Sequence, residues 1–462
     1  MSNSLIGNKA FYRQMMVIAL PIILQNLVTN FVSMLDNVMV GQLSTAQISA
    51  VTIINNNLLF ILNVCMFGGS AGAGIFTTQF YGSQDYQGIR YTVRFKLYVC
   101  ILLAVVGTAV CTIFSEPLIG LYLQGDGDPA LRAETLAFGK RYLFIMLIGV
   151  LPFAVTNGYA GTLRECGYPM VPMLAGIAAM GVNLVGNYIL IFGHFGAPAL
   201  GVAGAAIATV ASRYVEMGIV VAWTHLNPKK NPYVKGLFRS LWIPLDLLKS
   251  ITVKGMPLLL NEAAYTVGMA FLNQCYSRCG LDVVPALSIS TTIYNMMAVV
   301  FRSLGNTVGI LMGRMMGAGT KPEKVYQENR KMIALCVASG VVFGGATVAL
   351  ANAFPMLFNT GEEVRQLAAG LIMISAVMMP LQAYIFPVYF TLRAGGKTGI
   401  TFLFDSGAIW VLMLPIAFIC SRYTSLNIMW IFALCNAMDF FKCLIGYYFL
   451  RRRDWIQNLA VK

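Results

Sequence analysis

Charged side chains are scarce in this chain, and histidine is scarcer still. Of the 462 residues only 11% are Asp, Glu, Lys or Arg, whereas 58% are hydrophobic, and the mean hydropathy is +0.72. An ordinary soluble domain carries about 25% charged residues, so this shortage excludes a soluble globular protein and indicates a chain that lies in lipid. The only histidines, His194 and His225, are expected in loops and belong to no nucleophile motif or metal-binding spacing. We therefore expect a protein that is not an enzyme and that holds no cofactor or metal.

A disulfide framework and a cleavable leader are also missing. Most of the ten cysteines fall inside apolar runs, where a thiol behaves as a small hydrophobic group. Cys275 and Cys279 are one helical turn apart, but no histidine is near them to complete a metal site. The first apolar run is too long for the core of a signal peptide and contains Pro21, so it is expected to be the first membrane span.

Long hydrophobic runs are what the sequence has in abundance. Twelve of them are long enough to cross a hydrocarbon layer of about 30 Å. They begin near Met15, Ser49, Phe95, Lys140, Pro169, Leu200, Ser250, Val283, Met332, Gln366, Thr398 and Asn427. The pattern predicts an all-α membrane protein with twelve transmembrane helices.

The net charge of +14 follows the loops between these spans. If both termini are cytoplasmic, 23 of the 32 Lys and Arg residues lie in inside loops and ends, and six lie in outside loops. This is the positive-inside pattern, so the basic excess orients the chain and no nucleic-acid partner is expected. We predict a multi-pass protein of the cell membrane, in contact with the lipid bilayer, with both termini in the cytoplasm.

The second half of the chain repeats the plan of the first. Three segments of the first half recur in the same order in the second half, at a shift of about half the chain length. The matching pairs are Ala19 to Asn26 with Gly255 to Glu262, Gly69 to Gly82 with Leu304 to Gly317, and Thr162 to Gly167 with Thr391 to Gly396. Each half holds six spans, so both enter the membrane from the same side. This predicts two six-helix repeats related by a pseudo-twofold axis along the membrane normal.

The repeat sets the expected domain boundaries. We predict an N-lobe over residues 1–224 with spans one to six, a cytoplasmic linker over 225–249, and a C-lobe over 250–462 with spans seven to twelve. The linker is basic and contains three prolines, which suits either a hinge between the lobes or an interfacial strap without a mechanical role.

Asp36 is the only charge between Met15 and Val40, a run long enough to cross the membrane. An ionisable group in such a helix marks an ion, proton or substrate site, unless it lies near the end of the helix and reaches the wet interface.

Asp36 comes 23 residues after Arg13, about 35 Å along a helix, and Asn183 and Asn187 in span five reach the same outer half of the membrane. Because Asn183 and Asn187 are four residues apart, their side-chain amides lie on the same face of the helix. Their oxygens with one carboxylate suit a small cation, although the two amides alone would equally suit helix-to-helix hydrogen bonding.

At this point the residues resemble a family. NYILIFGHFGAPALGVAGAAIATVASRYVE (Asn187 to Glu216), LDNVMVGQLS (Leu35 to Ser44) and the repeated Gly-rich ends of spans two and eight resemble bacterial members of the multidrug and toxic compound extrusion (MATE) family. The resemblance implies a secondary transporter, expected as a monomer, that exports organic cations or drugs in exchange for protons or sodium ions by alternating access. The alternative is a flippase for lipid-linked saccharides or another polar lipid, which would need several basic residues in its cavity; only Arg302 and Arg213 are candidates.

The resemblance also assigns roles to single positions. Asp36, Asn183 and Asn187 resemble the family's cation-coupling site in the first lobe, with Thr209 of span six as a neighbour. Some relatives have an acid where Asn187 stands, so this site carries one carboxylate fewer, and the choice between proton and sodium stays open.

A second-lobe site or gate is expected around Glu262, which resembles the family's glutamate of span seven. Some relatives place an Asp in span ten, where this chain has Gln382. Arg302 lies at a depth that Glu262 could share, and we hypothesise that the two pair as a gate or structural tie. Two further intramembrane pairs, Arg213 with Glu216 and Asp439 with Lys442, are spaced to neutralise each other on one helix face.

Overall fold

The computed structural model describes residues 6–123 and 129–460, with the backbone alone at residues 33, 34 and 37. All regular secondary structure in these ranges is helical, which confirms the predicted all-α class. The first nine α-helices are α1 Lys9–Val40, α2 Thr45–Ile53, α3 Phe60–Gly82, α4 Tyr86–Ile113, α5 Ser115–Gly120, α6 Pro129–Ile148, α7 Val150–Glu165, α8 Met170–Phe192 and α9 Val202–Leu226.

Eight more helices follow the linker. They are α10 Leu245–Ser277, α11 Val283–Gly317, α12 Pro322–Leu350, α13 Glu362–Ala394, α14 Thr398–Phe402, α15 Leu414–Tyr423, α16 Ile428–Ala437 and α17 Asp439–Arg452. Three π-helical turns interrupt the α-helical pattern, at Ile54–Leu59, Leu403–Gly407 and Ile409–Met413. A π turn inserts one extra residue per turn and so rotates the side chains that follow it.

Ten helical stretches of the described chain are long and apolar enough to cross a membrane, or up to eleven if a bent pair forms one span. The structure therefore shows a polytopic membrane protein, whereas the expected count of twelve is not confirmed. The stretch that falls short is α10, because Asn261 and Glu262 interrupt its apolar run.

The bent pair consists of α6 and α7, which meet at an angle of 43°. Pro152 lies in the first turn of α7. A proline has no N–H to donate to the carbonyl four residues earlier, here that of Ile148, which favours a bend at this point. The break places the start of α7 beside α9, whose Arg213 donates from Nη1 to the carbonyl of Gly149 at 3.3 Å.

The chain divides into two compact units. The N-terminal unit comprises Leu24–Thr77 and Tyr86–Lys249. In its core, α8 packs on α9, α4 on α7 and α2 on α6. Its buried hydrophobic residues include Ile54, Leu143 and Ala206, which are fully buried.

The C-terminal unit comprises the chain up to Ile23, the short stretch Thr78–Asp85 and the chain from Ser250 onward. Its centre is α13, which packs on α11, α12 and α17. The start of α1 belongs to it because Met15 is fully buried in the same cluster as Val308. Two stretches from the first half of the sequence therefore pack in this unit. The lobe boundaries expected from the repeat stay a prediction.

Gln79 explains why the end of α3 packs in the C-terminal unit. Its side chain is fully buried, and its Nε2 donates to the carbonyls of Ala394 at 3.0 Å and Gln457 at 3.2 Å. Its Oε1 accepts from the backbone N–H of Leu459 at 2.5 Å. One glutamine thus satisfies backbone groups of α13 and of the C-terminal segment.

The linker over residues 225–249 is attached to α4. Arg94, which is 5% exposed, donates to the carbonyls of Leu237 at 2.7 Å, Trp242 at 2.9 Å and Gly236 at 3.1 Å. Arg90 donates to one further linker carbonyl, that of Tyr233, at 3.1 Å. These contacts favour the strap over the free hinge, because one guanidinium binds three carbonyls of the linker backbone.

We expect Arg94→Gln to loosen this strap and to speed tryptic cleavage after Lys235 and Arg239 by about tenfold or more. Hydrogen bonds to charged groups contribute about 1.5–3 kcal/mol each, and three of them restrain local opening here. Limited proteolysis of the purified protein measures the rate. Arg90→Gln, which removes a single carbonyl contact, is the control; equal acceleration by both variants would contradict the central role of Arg94.

Candidate functional site

The helices α1 and α8 bring a carboxylate and an amide together inside the N-terminal unit. The side-chain Nδ2 of Asn187 donates a hydrogen bond to Oδ1 of Asp36. Asn187 is fully buried, whereas Asp36 is partly exposed. A buried amide therefore orients a partly exposed carboxylate.

A chain of side-chain hydrogen bonds continues from Asn187 along α8 and reaches α9. Nδ2 of Asn187 also lies 3.4 Å from Oδ1 of Asn183, whose own Nδ2 donates to Oγ1 of Thr209 at 3.1 Å. The Thr209 hydroxyl donates to the backbone carbonyl of Ala205 at 2.9 Å. The structure thus brings together all four residues predicted for the first-lobe site; their role in coupling stays a prediction.

Small residues make this arrangement possible. A Cβ at Gly186 would lie 2.8 Å from Cβ of Ala208, closer than side-chain atoms approach. Glycine at this position lets α8 and α9 come close enough for the side chains of Asn183 and Thr209 to meet.

The negative charge of Asp36 has no cationic partner in the described part of the chain, because none of the ion pairs there includes it. Beside it, Oδ1 of Asn187 is buried without a hydrogen-bond partner. The same ranges contain no group of three His, Cys, Asp or Glu side chains that could hold a metal ion. The site can therefore take up a proton on Asp36, or a small hard cation with amide and hydroxyl oxygens as further ligands.

Two polar contacts of the N-terminal unit were not revealed by the sequence. The Tyr142 hydroxyl accepts a hydrogen bond from Nδ2 of Asn55 at 2.9 Å. The Arg213 guanidinium stacks on the Phe153 ring at 5.1 Å. The predicted ion pair of Arg213 with Glu216 is not formed within 4.0 Å. With 21 tyrosines in the chain, no pattern singled out Tyr142.

The three residues predicted for a second-lobe site do not form one cluster. No ion pair of the described residues joins Glu262 to Arg302. Equal depth along two helices does not make two side chains face each other, and Arg302 turns instead toward Phe386 of α13. The hypothesised gate pair is thus absent from this structure.

Gln382 meets an acid that comes from a different helix. Its Nε2 donates to Oδ2 of Asp439, at the start of α17, and Nζ of Lys442 lies 3.3 Å from the other oxygen of that carboxylate. Asp439 is fully buried and Lys442 is 6% exposed. The predicted pair of Asp439 with Lys442 is formed.

Asn261, the neighbour of Glu262, is the centre of a network that the sequence did not indicate. Its Nδ2 donates to Oδ2 of Asp405 at 2.9 Å, and its Oδ1 accepts from the Ser406 hydroxyl at 2.6 Å. The Tyr389 hydroxyl lies 3.4 Å from the same Nδ2. Asp405 and Ser406 belong to a π-helical turn, which aims both at α10.

The MatE family model matches residues 21–189 and 257–419. The two matched segments lie in the first and second halves of the chain, and together they cover more than half of it. The first contains Asp36, Asn183 and Asn187, and the second contains Glu262, Arg302 and Gln382.

Curated relatives match over nearly their full length. The chain is 24% identical to the probable multidrug resistance protein NorM of Thermotoga maritima, over 90% of this chain and 87% of the relative. It is 26% identical to the probable multidrug resistance protein YoeA of Bacillus subtilis, over 90% of this chain and 89% of the relative.

Solved structures share the fold. A crystal structure described as MATE in complex with MaL6 superimposes with a TM-score of 0.85 at 19% identity, covering 97% of each chain. The Vibrio cholerae MATE transporter VcmN in its bent form gives a TM-score of 0.84 at 16% identity, covering 97% of this chain and 99% of that one. At these identities the likeness establishes the helical architecture and leaves the chemistry to the side chains described above.

Proposed function

The chain belongs to the MatE family, and on that premise we propose that it is a multidrug efflux transporter that exchanges organic cations for protons or sodium ions. Relatives named as multidrug resistance proteins over about nine-tenths of this chain support an organic, drug-like substrate. They do not favour the flippase alternative. In the proposal the chain works with twelve membrane helices in two six-helix repeats, as its sequence predicts, with both termini in the cytoplasm.

One observation carries the ion coupling: Asp36 has no cationic partner among the residues that the structure describes, and the buried amide of Asn187 orients it. A carboxylate within a membrane span is costly unless its charge is compensated, so binding of a proton or a sodium ion changes the free energy of the state that exposes it. This makes the Asp36 site responsive to an ion gradient.

Exchange then follows from differential affinity. The coupling ion must stabilise one conformational state more than the other, and the drug must do the reverse, because a ligand shifts an equilibrium only by its difference in affinity for the two states. The hydrogen bond from Asn187 to Asp36 gives the N-terminal unit a contact between α1 and α8 that ion binding at Asp36 would change. Loss or gain of that contact is the step by which we propose that the ion acts.

The test is transport by the purified protein in sealed liposomes, with rhodamine 123 as the organic cation. A pH gradient and a sodium gradient are imposed separately, and dye movement is followed by fluorescence. We expect one of the two gradients to drive the dye against its own gradient, whereas protein-free liposomes show only leak.

The outcome identifies the coupling ion. Movement with the pH gradient alone indicates protonation of Asp36, and movement with the sodium gradient alone indicates that the amide oxygens complete a sodium site. Absence of driven movement under both gradients, with correctly inserted protein, would contradict the proposed antiport.

A further inference from the structure

The linker over residues 225–249 presents large apolar side chains to its surroundings. Phe238, Leu241, Trp242 and Leu245 are 56%, 64%, 62% and 73% exposed, and we call these four residues the exposed face of the linker. A single exposed apolar residue is ordinary, but four of them within one short segment form a patch that marks an interaction surface.

The exposed face is carried by a backbone that is held in place. Tyr233, Leu237 and Ile243 of the same segment are buried, so one side of the linker packs on the N-terminal unit. Arg94 of α4 donates to the carbonyls of Leu237 and Trp242. The exposed side chains are therefore displayed on the opposite side of a fixed strap.

The exposed face continues the apolar surface of a membrane span. The Tyr98 hydroxyl of α4 donates to the carbonyl of Leu241 at 2.7 Å. Tyr98 itself is 41% exposed, and Leu102 and Val106, which follow it on the same side of the helix, are 62% and 50% exposed. Because α4 is long and apolar enough to cross a membrane, such a stripe faces hydrocarbon. The linker therefore lies at the edge of the lipid-facing surface of α4.

The charges of the linker have one dominant sign. It contains five lysines and arginines and a single acid, Asp246. Lys235 and Arg239 lie on either side of the first exposed ring in the sequence, and both are exposed. No ion pair of the described residues includes either of them. Arg90 and Arg94 of α4, which bind linker carbonyls, add two more positive charges.

A segment with exposed aromatic and aliphatic side chains between basic ones is suited to the boundary between acyl chains and headgroups. We propose that the exposed face of the linker inserts its four apolar side chains into this boundary, while Lys235 and Arg239 bind the phosphates of acidic phospholipids. The positive-inside pattern assigns this surface to the cytoplasmic leaflet.

Charge favours a lipid over a second copy of this chain as the occupant. A symmetric contact between two copies of the linker would set the same cations against each other, whereas acidic headgroups neutralise them. Tyr91 and Trp242, whose ring centroids lie 6.3 Å apart, form a pair of the residue types that are enriched at membrane interfaces.

Trp242 is a built-in probe for the test. The full-length protein is placed in nanodiscs of phosphatidylcholine and phosphatidylglycerol, in which one lipid or the other carries bromine on its acyl chains and quenches tryptophan fluorescence on contact. Since the chain has five tryptophans, the signal of Trp242 is the difference between the wild type and Trp242→Phe. We expect quenching of this signal, about twofold or more stronger with brominated phosphatidylglycerol than with brominated phosphatidylcholine at equal lipid content.

The role of the cations is tested by replacing Lys235 and Arg239 together with Gln, again with and without Trp242→Phe. Both are exposed, so the fold should survive. We expect Trp242 to stay quenched but the preference for phosphatidylglycerol to fall to near equality. Replacement of Lys321 and Lys324 with Gln, which removes two exposed cations at the start of α12, is the matched control and should leave the preference unchanged.

Three results would overturn the inference. Equal quenching of Trp242 by both brominated lipids in the wild type would remove the acidic-headgroup site. Quenching by aqueous iodide instead of brominated lipid would place the exposed face in water. Protection of Trp242 from brominated lipid and from aqueous acrylamide alike would show that protein covers it. Neither a substrate nor an ion gradient enters this test, so its outcome is independent of the proposed transport function.

Discussion

Asp36→Asn is expected to reduce gradient-driven dye efflux to the level of protein-free liposomes, while the protein still folds and inserts. Asparagine keeps the size of the side chain and can still accept a hydrogen bond from Asn187, so the contact between α1 and α8 survives. It cannot take up a proton or offer a negative charge to a sodium ion. Without a charge that changes during the cycle, an ion gradient has nothing on which to act at this site.

Asp282→Asn provides the control for this variant. Asp282 is exposed and directly precedes α11, and its side chain makes no capping hydrogen bond. Efflux should be retained after this change of the same chemical kind. Full gradient-driven efflux by Asp36→Asn in the same liposomes would show that Asp36 is not the coupling residue.

Thermal stability of the wild type and of Asp36→Asn, measured with and without sodium, distinguishes sodium from proton coupling. A ligand that binds only the folded state raises its stability, by about 1.4 kcal/mol for a free concentration near ten times the dissociation constant. If sodium binds at Asp36, adding it should raise the melting temperature of the wild type and not that of Asp36→Asn. An equal rise in both proteins would place sodium elsewhere.

The arrangement around Asp36 follows from the sequence because helices make depth and facing predictable over short distances. A rise of about 1.5 Å per residue placed Asp36 and Asn187 at the same level, and the four-residue spacing placed Asn183 on the same face as Asn187. In the structure the hydrogen bonds run from Asp36 through Asn187 and Asn183 to Thr209.

The same argument failed for Glu262 and Arg302. Depth says nothing about how each helix is rotated about its axis or which helix is its neighbour. The structure turns Arg302 toward Phe386, and no ion pair of the described residues joins it to Glu262. The direction of Arg302 depends on the packing of α11 on α13, which no local pattern in the sequence specifies.

The network of Asn261 was beyond prediction for a different reason. Asp405 and Ser406 reach Asn261 from a π-helical turn, and the extra residue in that turn changes which side chains face α10. A regular 3.6-residue period, which is the basis for reading faces from sequence, does not apply there.

Lys442→Met should destabilise the protein strongly, by about 3–5 kcal/mol, because removing one partner of a buried ion pair leaves the other charge uncompensated. Asp439 is fully buried, and after the substitution only the amide of Gln382 would contact its carboxylate. Thermal unfolding of the detergent-purified protein, followed by size-exclusion chromatography after heating, measures the loss.

Two variants determine whether the buried charge is the cause. Asp439→Asn combined with Lys442→Met should recover most of the lost stability, since no charge then remains at the site. Lys331→Met breaks an ion pair of the same i,i+3 spacing, but Lys331 and Glu328 are each 22% exposed, so its cost should be about 1 kcal/mol or less. If Lys442→Met were no more destabilising than Lys331→Met, the pair of Asp439 and Lys442 would have no special weight in the stability of the C-terminal unit.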